Sequence, residues 1–313
     1  MKIPVACFLI ILFALPSTAQ SKTVAITIDD LPYSGLGSSV ANVQQARDDI
    51  AKILATLKAH HVPVVGFVNE VELNVEGQRD MRAALLQQWI DAGVELGNHT
   101  YSHANINLIP EPQAEDEVVK GEVITQRLMK LHGEQERYFR HPYLRTGATL
   151  DQKHQFEAFL KSRGYTVVPV TTENLDWAYD TAWEEAIKEH DRQAEQKVLD
   201  GYIAQTAYSL DYYEKLTHAI FGRDIPYIML MHSTHLNAAE LDKVLATFEA
   251  HGYKFVTVSE ALKDPAYQTP DNYAGKEGLI WQDRWAIALG KHPDVGRRDS
   301  PPWLWTLYDK AIK

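Results

Sequence analysis

The sequence has almost no cysteine: the only one among its 313 residues is Cys7. It also has no cluster of Lys and Arg, and its 31 basic residues are outnumbered by 42 acidic ones, for a net charge of −11. A surface that neutralises phosphates needs grouped Lys and Arg, so nucleic acid is not expected as a partner. No Gly-x-Ser-x-Gly elbow occurs, which argues against a serine hydrolase. With 45% hydrophobic residues, the chain has the composition of a folded protein with a large core.

The first 19 residues have the pattern of a signal peptide, with an N-terminal anchor or a buried strand as the alternative. Lys2 is followed by the apolar run Ile3–Leu15, and then by the small residues Ser17 and Ala19 at a cleavage site. This run of 13 residues is shorter than the about 20 needed to span a bilayer. Cleavage at 19 removes Cys7, which excludes a disulfide, a cysteine nucleophile and a cysteine metal site in the mature chain. We expect an exported protein, periplasmic or secreted, with no integral membrane segment after cleavage.

The rest of the chain alternates short β-rich runs with helical stretches, which include a helix predicted at Ala114–Leu131. Strands are predicted at 24–28, 62–68, 94–97, 138–140, 165–170, 227–231 and 254–258. This alternation favours an α/β fold with a parallel sheet and outer helices. With seven strands, a distorted parallel (β/α) barrel is favoured over an open doubly wound sheet. We expect one domain at 22–264, with a helical insertion at 181–222 and a C-terminal extension at 265–313.

Both additions are rich in aromatic residues, and four of the seven tryptophans lie in the C-terminal extension. Packing is the favoured interpretation of these side chains, with sugar stacking as the alternative. The residues concerned are Tyr202, Tyr208, Tyr212, Tyr213, Trp281, Trp285, Trp303 and Trp305.

Polar residues of unusual type follow five of the predicted strands at their C-terminal ends. In a barrel these strand ends form one face, and that face is where active sites are found. The residues are Asp29, Asp30, His99, His103, Arg140, Tyr143, Asp176, Trp177 and His232. We therefore expect them to converge on one rim of the barrel.

His99 and His103 are four residues apart, a spacing that puts two imidazoles on one side of a helical turn. Alone, such a pair is common among surface and capping histidines, but Asp30 adds a carboxylate. Two histidines and one carboxylate leave a position open for water, as in catalytic metal sites. The set suits one divalent ion, with Zn²⁺ favoured and Co²⁺, Ni²⁺ and Mn²⁺ left open.

Asp29 points in another direction from Asp30, which suits a separate general base, although adjacent acids also occur as simple loop or capping residues.

Five short motifs resemble, in the same order, those of the polysaccharide deacetylases, the NodB-like domain of carbohydrate esterase family four. They are Thr27–Asp30, His99–His103, Arg140–Tyr143, Asp176–Trp177 and Leu230–His232. Each motif alone is weak, whereas five in a fixed order at strand ends are specific. The resemblance covers residues 22–262. It departs from the family pattern at Leu31, where Gly is usual, and at His141, where Pro is common.

The resemblance implies a distorted barrel of seven parallel strands and a metal-dependent deacetylation. It implies that Asp30, His99 and His103 hold the metal and that Asp29 is the general base. Arg140 would orient Asp29 and keep it ionised, since a nearby guanidinium favours the carboxylate form.

The other implied roles concern the leaving group and the acetyl group. His232 would protonate the leaving amine, and Asp176 would hold its imidazolium. Tyr143 would contribute a backbone N–H to the oxyanion hole. Trp177 and Leu230 would form an apolar slot for the acetyl methyl.

The function expected on this basis is an exported, metal-dependent deacetylase of an acetylated polysaccharide or oligosaccharide in the cell envelope or outside the cell. N-acetyl groups are the favoured target, ahead of O-acetyl groups, and acetate is the product. An amidohydrolase for a non-sugar C–N bond is one alternative, and it predicts a deep, closed pocket. A glycan-binding barrel without turnover is another alternative, but a protein that only binds has no need of a base, an acid and a metal together.

His235, three residues after His232, is interpreted as a rival acid, a substrate contact or a helix-start residue.

Overall fold

The computed structural model describes residues 22–34 and 42–313, so the signal peptide predicted at 1–19 lies outside the described residues. Within those ranges, eight strands pair in parallel. They are β1 (Thr23–Leu31), β2 (Val64–Val68), β3 (Glu95–Asn98), β4 (Tyr138–Phe139), β5 (Thr166–Val167), β6 (Thr172–Glu173), β7 (Tyr227–His232) and β8 (Lys254–Phe255). Their order across the sheet is β5-β4-β3-β2-β1-β7-β6, and β8 pairs with the first residues of β1.

The sheet curls because both of its ends come from one run of chain. β5 and β6 stand at opposite ends of the sheet, yet only residues 168–171 separate them in sequence. The amide of Val168 donates to the carbonyl of Phe139 beside β4, and the amide of Thr171 donates to the carbonyl of Ile228 in β7. The run thus closes the sheet into a distorted barrel, which confirms the predicted fold class. All seven predicted strands are present, and β6 is an eighth, formed just past the fifth prediction.

β1 runs through the middle of this sheet and carries the first motif. Residues 24–29 of this strand are all buried. A strand covered on both faces is expected to be a continuous apolar run, and this is why Val24–Ile28 shows little alternation. Thr27 is the one polar residue of the run Val24–Ile28, and its hydroxyl donates to the carbonyl of Met229 at 2.6 Å. The pairing of Asp29 with His232 aligns the C-terminal ends of β1 and β7.

Helices surround the sheet, and no helix in the described ranges is both long and apolar enough to cross a membrane. They are α1 (Val43–Ala59), α2 (Arg79–Asp91), α3 (Glu111–Lys120), α4 (Val123–Leu131), α5 (Leu150–Ser162), α6 (Asp176–Lys188), α7 (Arg192–Phe221), α8 (His235–Ala250), α9 (Val258–Ala261), α10 (Trp281–Ala288) and α11 (Pro302–Ala311). The single helix predicted at Ala114–Leu131 is wrong, since α3 ends before Gly121 and α4 begins after it. A β-carbon on Gly121 would lie 2.7 Å from the backbone carbon of Thr100. The break therefore lets the loop after β3 lie against the helix backbone.

Residues 181–222, predicted as a helical insertion, form the end of α6 and the 30-residue helix α7. Tyr202 and Tyr213 of α7 are buried, so these aromatic side chains pack inside the protein as interpreted. Gly201, in the middle of α7, is explained by a close approach. A β-carbon there would lie 2.9 Å from the indole of Trp303.

The C-terminal extension packs against the barrel and the insertion. Trp281 and Trp285 are buried, and the amide of Trp281 donates to the carbonyl of Val170 at 2.8 Å. At the far end, Lys310 of α11 forms ion pairs with Glu185 and Glu189 near the end of α6. The division of the chain into domains at 22–264 and 265–313 stays a prediction.

Candidate active site

A cleft of about 750 Å³ lies at the C-terminal ends of the strands. Eight of the ten predicted site residues line it, and the other two, Arg140 and Asp176, are buried behind it. The eight are Asp29, Asp30, His99, His103, Tyr143, Trp177, Leu230 and His232. The structure therefore brings together residues that are up to about 200 positions apart in sequence, at the barrel face where catalytic residues are expected.

The three predicted metal ligands meet at the base of this cleft. Nε2 of His99 and Nε2 of His103 lie 3.5 and 3.6 Å from Oδ1 of Asp30, and the three ligand atoms are within 4.8 Å of one another. Ligands held at about 2.1 Å in a tetrahedron are about 3.4 Å apart, so these separations suit a single ion. Within the described residues, the buried Oδ1 of Asp30 has no hydrogen-bond partner. The donor set and its geometry therefore fit a metal ion.

The tautomer of His99 also suits metal binding. Its Nδ1 lies 2.8 Å from the carbonyl oxygen of Arg140, and a carbonyl can only accept, so Nδ1 carries the proton. Nε2 then keeps its lone pair for a metal, with the carbonyl fixing the ring. Burial lowers the pKa of His99 well below its usual range, with the neighbouring His103 as a second cause. Burial also lowers the pKa of His103. Both imidazoles are thus neutral at pH 7, the form that binds metals.

The two histidines do not lie on a helical turn, as the spacing predicted, but in a loop. Thr100 and His103 have φ values of 66° and 54°, which no α-helix contains. The side-chain amide of Asn69 donates to the carbonyls of His99 and Thr100 at 2.6 and 3.2 Å. Gly121 lets the same loop lie against the backbone between α3 and α4. The imidazoles, whose centroids are 4.9 Å apart, are thus brought together by a bent loop that distant residues hold in place.

Asp29 is held by a fully buried arginine. Nη1 of Arg140 lies 3.3 and 3.2 Å from the two carboxylate oxygens of Asp29. The same guanidinium donates to the carbonyl of Val168 at 2.9 Å and to the hydroxyl of Thr27 at 3.0 Å, so its position is fixed. Burial raises the pKa of Asp29 to about 6, and the charge of Arg140 opposes that rise. Oδ2 of Asp29 is 3.7 Å from Nε2 of His99, next to the candidate metal site.

His232 forms the other side of the site, with Asp176 behind it. Nδ1 of His232 lies 2.8 Å from Oδ1 of Asp176, and its backbone amide donates to Oδ2 at 2.6 Å. Burial lowers the pKa of His232, but Asp176 and the nearby Asp30 outweigh that effect and raise it to about 10. Nε2 of His232 faces the cleft, 3.9 Å from Oδ2 of Asp30. The ring is therefore cationic at neutral pH and presents an N–H to the cleft.

Sequence reasoning missed Asn237, which completes this arrangement. Its side-chain amide donates to Oδ2 of Asp176 and to the carbonyl of His232, both at 2.8 Å. Oδ1 of Asn237 in turn accepts from the hydroxyl of Tyr202. An Asn in the first turn of a helix is ordinary, so nothing local in the sequence marked it.

Tyr143, Trp177 and Leu230 are placed at the cleft as the sequence predicted. Tyr143 has a φ of 54° and a side chain that is 54% exposed, with its ring centroid 4.3 Å from that of His103. Trp177 is the second residue of α6 and is 38% exposed. Leu230 lies in β7, half-buried. An exposed apolar surface thus lies beside the polar groups.

Two further histidines have different positions. His141 lies at the cleft but is buried against Phe139, and neither of its ring nitrogens has a hydrogen-bond partner in the described part of the chain. His235 begins α8, with Nδ1 2.6 Å from Glu184 and its ring against Trp183. Since His235 does not line the cleft, its position agrees with the helix-start interpretation.

The C-terminal extension and α7 form one wall of the cleft, as expected of additions that shape it. Asp283, Arg297 and Tyr308 of the extension line it, as does Tyr213 of α7. The ring of Tyr308 lies 5.4 Å from that of Trp177. The four tryptophans of the extension indicated burial against the barrel, but no motif in the sequence identified Asp283, Arg297 and Tyr308 as the residues that line the cleft.

Comparisons with known proteins support the fold, and the family match includes the first three motifs. Residues 17–168 match the family model of polysaccharide deacetylases. The peptidoglycan-N-acetylglucosamine deacetylase of Bacillus cereus is 24% identical over 252 residues, covering 79% of this chain and 70% of that protein. The structure of a chitin deacetylase from Colletotrichum lindemuthianum covers 81% of this chain and 91% of its own, with 22% identity and a TM-score of 0.53. The structure of a carbohydrate esterase family four pseudoenzyme from Bacillus anthracis covers 77% of this chain and 66% of its own, with 18% identity and a TM-score of 0.51.

The fold and the site define a distorted (β/α) barrel that carries two histidines and a carboxylate at the C-terminal ends of its strands. The family match over residues 17–168 shows that this part of the chain is similar to the polysaccharide deacetylases, which supports a NodB-like domain of carbohydrate esterase family four. Asp176 and His232, in the fourth and fifth motifs, lie beyond the matched residues. Their place at the site is therefore known from the structure.

Proposed function

We propose that this protein is an exported, metal-dependent deacetylase that removes N-acetyl groups from a glycan of the cell envelope or the extracellular space. One observation carries the proposal. Two ionic pairs, the buried pair of Asp29 with Arg140 and the half-buried His232 with Asp176, flank the group formed by Asp30 and the two histidines in a single cleft. A base, an acid and a metal site in one cleft are what hydrolysis of an unreactive amide requires.

Asp30, His99 and His103 would hold the ion, and Zn²⁺ is the metal we propose for two imidazoles and one carboxylate. A divalent ion supplies Lewis acidity toward a carbonyl oxygen and toward water. His99 contributes a neutral ring whose orientation the carbonyl of Arg140 fixes. Oδ1 of Asp30 contributes the anionic ligand.

Asp29 acts as the general base in this proposal. Its carboxylate accepts a proton from the attacking water while the water oxygen adds to the acetyl carbonyl carbon. Arg140 holds the carboxylate through both oxygens, so that it stays next to the ligand cluster instead of turning away. Because Arg140 is itself fixed by Thr27 and Val168, the base is preorganised, and no rearrangement is needed when the reaction occurs.

His232 acts as the general acid. Its Nδ1–H is donated to Asp176, so the Nε2–H is the proton that faces the cleft. That proton passes to the sugar nitrogen as the C–N bond breaks, which yields acetate and a free amine. Asp176 holds the ring in position before and after the transfer.

Tyr143, Trp177 and Leu230 bind the acetyl group in this proposal. The backbone N–H of Tyr143 would stabilise the oxyanion that forms as water adds. Trp177 and Leu230 offer the apolar surface against which the acetyl methyl packs. The N-terminal sequence pattern supports export, and the peptidoglycan relative supports a cell-envelope glycan.

The direct test is acetate release by the purified mature protein from N-acetylglucosamine oligomers, peptidoglycan and acetylated xylan. Each assay is run after chelation and again after Zn²⁺ or Co²⁺ is restored. We expect metal-dependent acetate from at least one N-acetylated substrate. Since a pseudoenzyme shares this fold, the fold does not establish turnover. No acetate from any substrate, with metal bound at full stoichiometry, would instead favour a non-sugar amidase or a glycan-binding barrel.

A further inference from the structure

The loop after β4 carries two consecutive residues in a left-handed conformation. Tyr143 and Leu144 both have a φ of 54°. For residues with a β-carbon this conformation costs about 1–2 kcal/mol each. It persists only where the surrounding structure holds it. Local hydrogen bonds contribute little, since only the amides of Leu144 and Arg145 close turns inside the loop, to the carbonyls of His141 and Pro142.

Arg284 of α10 supplies the missing support from the C-terminal extension. Its guanidinium is fully buried and donates to the carbonyl of Leu144 at 2.5 Å and to the hydroxyl of Thr146 at 2.8 Å. It also donates to the carbonyl of Leu279 at 2.8 Å and to Asp271 at 3.1 Å. One side chain therefore ties the loop to the two ends of the segment 271–279. A planar guanidinium can do this because its donors point in fixed, diverging directions.

Gly278 brings the extension into direct contact with the same loop. A β-carbon built on Gly278 would lie 1.7 Å from the carbonyl oxygen of Tyr143 and 2.9 Å from its carbonyl carbon. Both of these atoms are backbone, so no side-chain rotation can relieve such a clash. The extension thus packs on the peptide that follows Tyr143, and only glycine fits there.

We propose that Arg284 and Gly278 are positioning residues, through which the C-terminal extension holds the Tyr143–Leu144 loop in its active conformation. The inference rests on the proposed function, in which the backbone of Tyr143 stabilises the oxyanion. The extension is then a part of the active site and not only a cover for the barrel. A donor displaced by about 1 Å loses most of its effect on a transition state, which accounts for the sensitivity we expect.

Lys153 of α5 provides a control for anchoring alone. It is as buried as Arg284, and its amino group donates to the carbonyls of Asp271 and Tyr273 at 2.7 and 3.2 Å. It therefore anchors the same segment of the extension, but it makes no hydrogen bond to the loop at 142–146. A purely structural role of the extension predicts equal effects from Arg284→Lys and Lys153→Met.

Gly275 provides the matched control for Gly278. The atoms nearest to a β-carbon on Gly275 all belong to the side chain of Tyr273, with its hydroxyl oxygen at 2.7 Å. That hydroxyl lies at the far end of a half-buried side chain, where it donates to the carbonyl of Glu277 at 3.2 Å, and it is not part of the loop at 142–146. Gly278→Ala and Gly275→Ala thus make the same chemical change three residues apart, and only the first presses on the loop.

The first measurement is hydrogen exchange in the full-length mature protein without substrate, read in the peptide that contains Leu144 and Arg145. We expect Arg284→Lys and Gly278→Ala to speed this exchange roughly tenfold, equivalent to about 1.4 kcal/mol of lost local stability. Lys153→Met is expected to speed exchange in residues 270–276 alone, and Gly275→Ala to leave exchange at 144–145 unchanged. Unchanged exchange at 144–145 in both Arg284→Lys and Gly278→Ala overturns the proposal, as does an equal effect of Lys153→Met.

The second measurement is the kinetics of acetate release from N-acetylglucosamine oligomers. Arg284→Lys and Gly278→Ala should lower kcat about tenfold and leave KM within about twofold, with full metal content. A rise in KM at constant kcat contradicts a role in transition-state positioning. If the parent protein releases no acetate, the proposed function fails, and the exchange measurement still decides whether the extension holds the loop.

Discussion

The hydroxyl of Tyr202 donates a hydrogen bond of 2.6 Å to Oδ1 of Asn237, and this contact sets which way the Asn237 amide faces. With Oδ1 fixed, the amide nitrogen is directed to both Asp176 and the carbonyl of His232. The long helix α7 thereby supports the pair that we propose as the general acid. Tyr202 does not line the cleft, so it acts through Asn237.

Tyr202→Phe should lower kcat by about 3- to 10-fold. Loss of the hydroxyl leaves a buried amide oxygen without its donor, which costs about 1–3 kcal/mol and allows the amide to turn. The measurements are kcat and the free energy of unfolding in urea, with metal content expected to stay complete. Tyr212→Phe is the control, because Tyr212 is on the same helix but outside this network. Equal kinetics in Tyr202→Phe and the parent would show that Asp176 alone orients His232.

His99→Ala should remove the metal. It deletes one of the three ligands that we propose, and since even changes to residues that only support a ligand cost 10–100-fold in affinity, we expect a loss of more than about 100-fold. Elemental analysis after gel filtration measures the stoichiometry. His235→Ala, which changes a histidine outside the cleft, serves as the control and should retain the full complement. If the His99→Ala protein keeps its metal, His99 is not a ligand.

Asp29→Asn should lower kcat by about 10²- to 10⁴-fold while the metal stays bound, since the amide cannot accept the proton from water. The change preserves size and keeps an oxygen that can accept from Arg140. Asp180→Asn is a suitable control because burial also raises the pKa of Asp180, in α6, to about 7, but this acid does not line the cleft. Activity within a few-fold of the parent in Asp29→Asn would assign the base to another group.

The strands and the position of the site were predictable because both leave local signals in the sequence. A strand buried on two faces is a continuous apolar run, as at Val24–Ile28, and polar residues mark the point where it ends. The chain order of the five motifs then specified which strand ends meet. The fifth strand was predicted where β5 lies, but its continuation into β6 depends on pairing with β7, about 55 residues further along the chain.

Other features depend on contacts between distant residues and have no local signal. The spacing of His99 and His103 predicted that their imidazoles lie together, as they do, but it wrongly predicted a helical turn, because the loop is shaped by Asn69 and Gly121. The contact between Gly278 and the Tyr143 peptide joins residues 135 positions apart. The chain has 17 glycines, and nothing in the sequence around Gly278 indicates that it contacts this loop.

A buried acidic pair near β4 leads to a prediction about pH and stability. The hydroxyl oxygen of Tyr165 lies 2.8 Å from Oε2 of Glu122 and 2.8 Å from Oε2 of Glu136. A tyrosine hydroxyl has one proton to donate, so the second contact needs a proton on a carboxyl. Burial raises the pKa of Glu136 well above its usual range, with the charges of Glu122 and Glu70 adding to the rise. Glu122 pairs with Arg163, so Glu136 is the protonated partner.

Glu136→Gln should stabilise the protein at neutral and higher pH. In the parent, the unfolded chain releases this proton near pH 4.5 while the native state keeps it. The native state then binds more protons, so stability falls as the pH rises from there toward the native pKa. Each unit between the two pKa values is worth about 1.4 kcal/mol. Glutamine donates to the same hydroxyl and does not titrate, so the advantage of the variant in urea unfolding should be larger at about pH 8 than at about pH 5. Glu134→Gln, at an exposed neighbour, should show no such trend. An advantage that stays constant with pH, or that grows toward acid, would mean that Glu136 is ionised in the native protein.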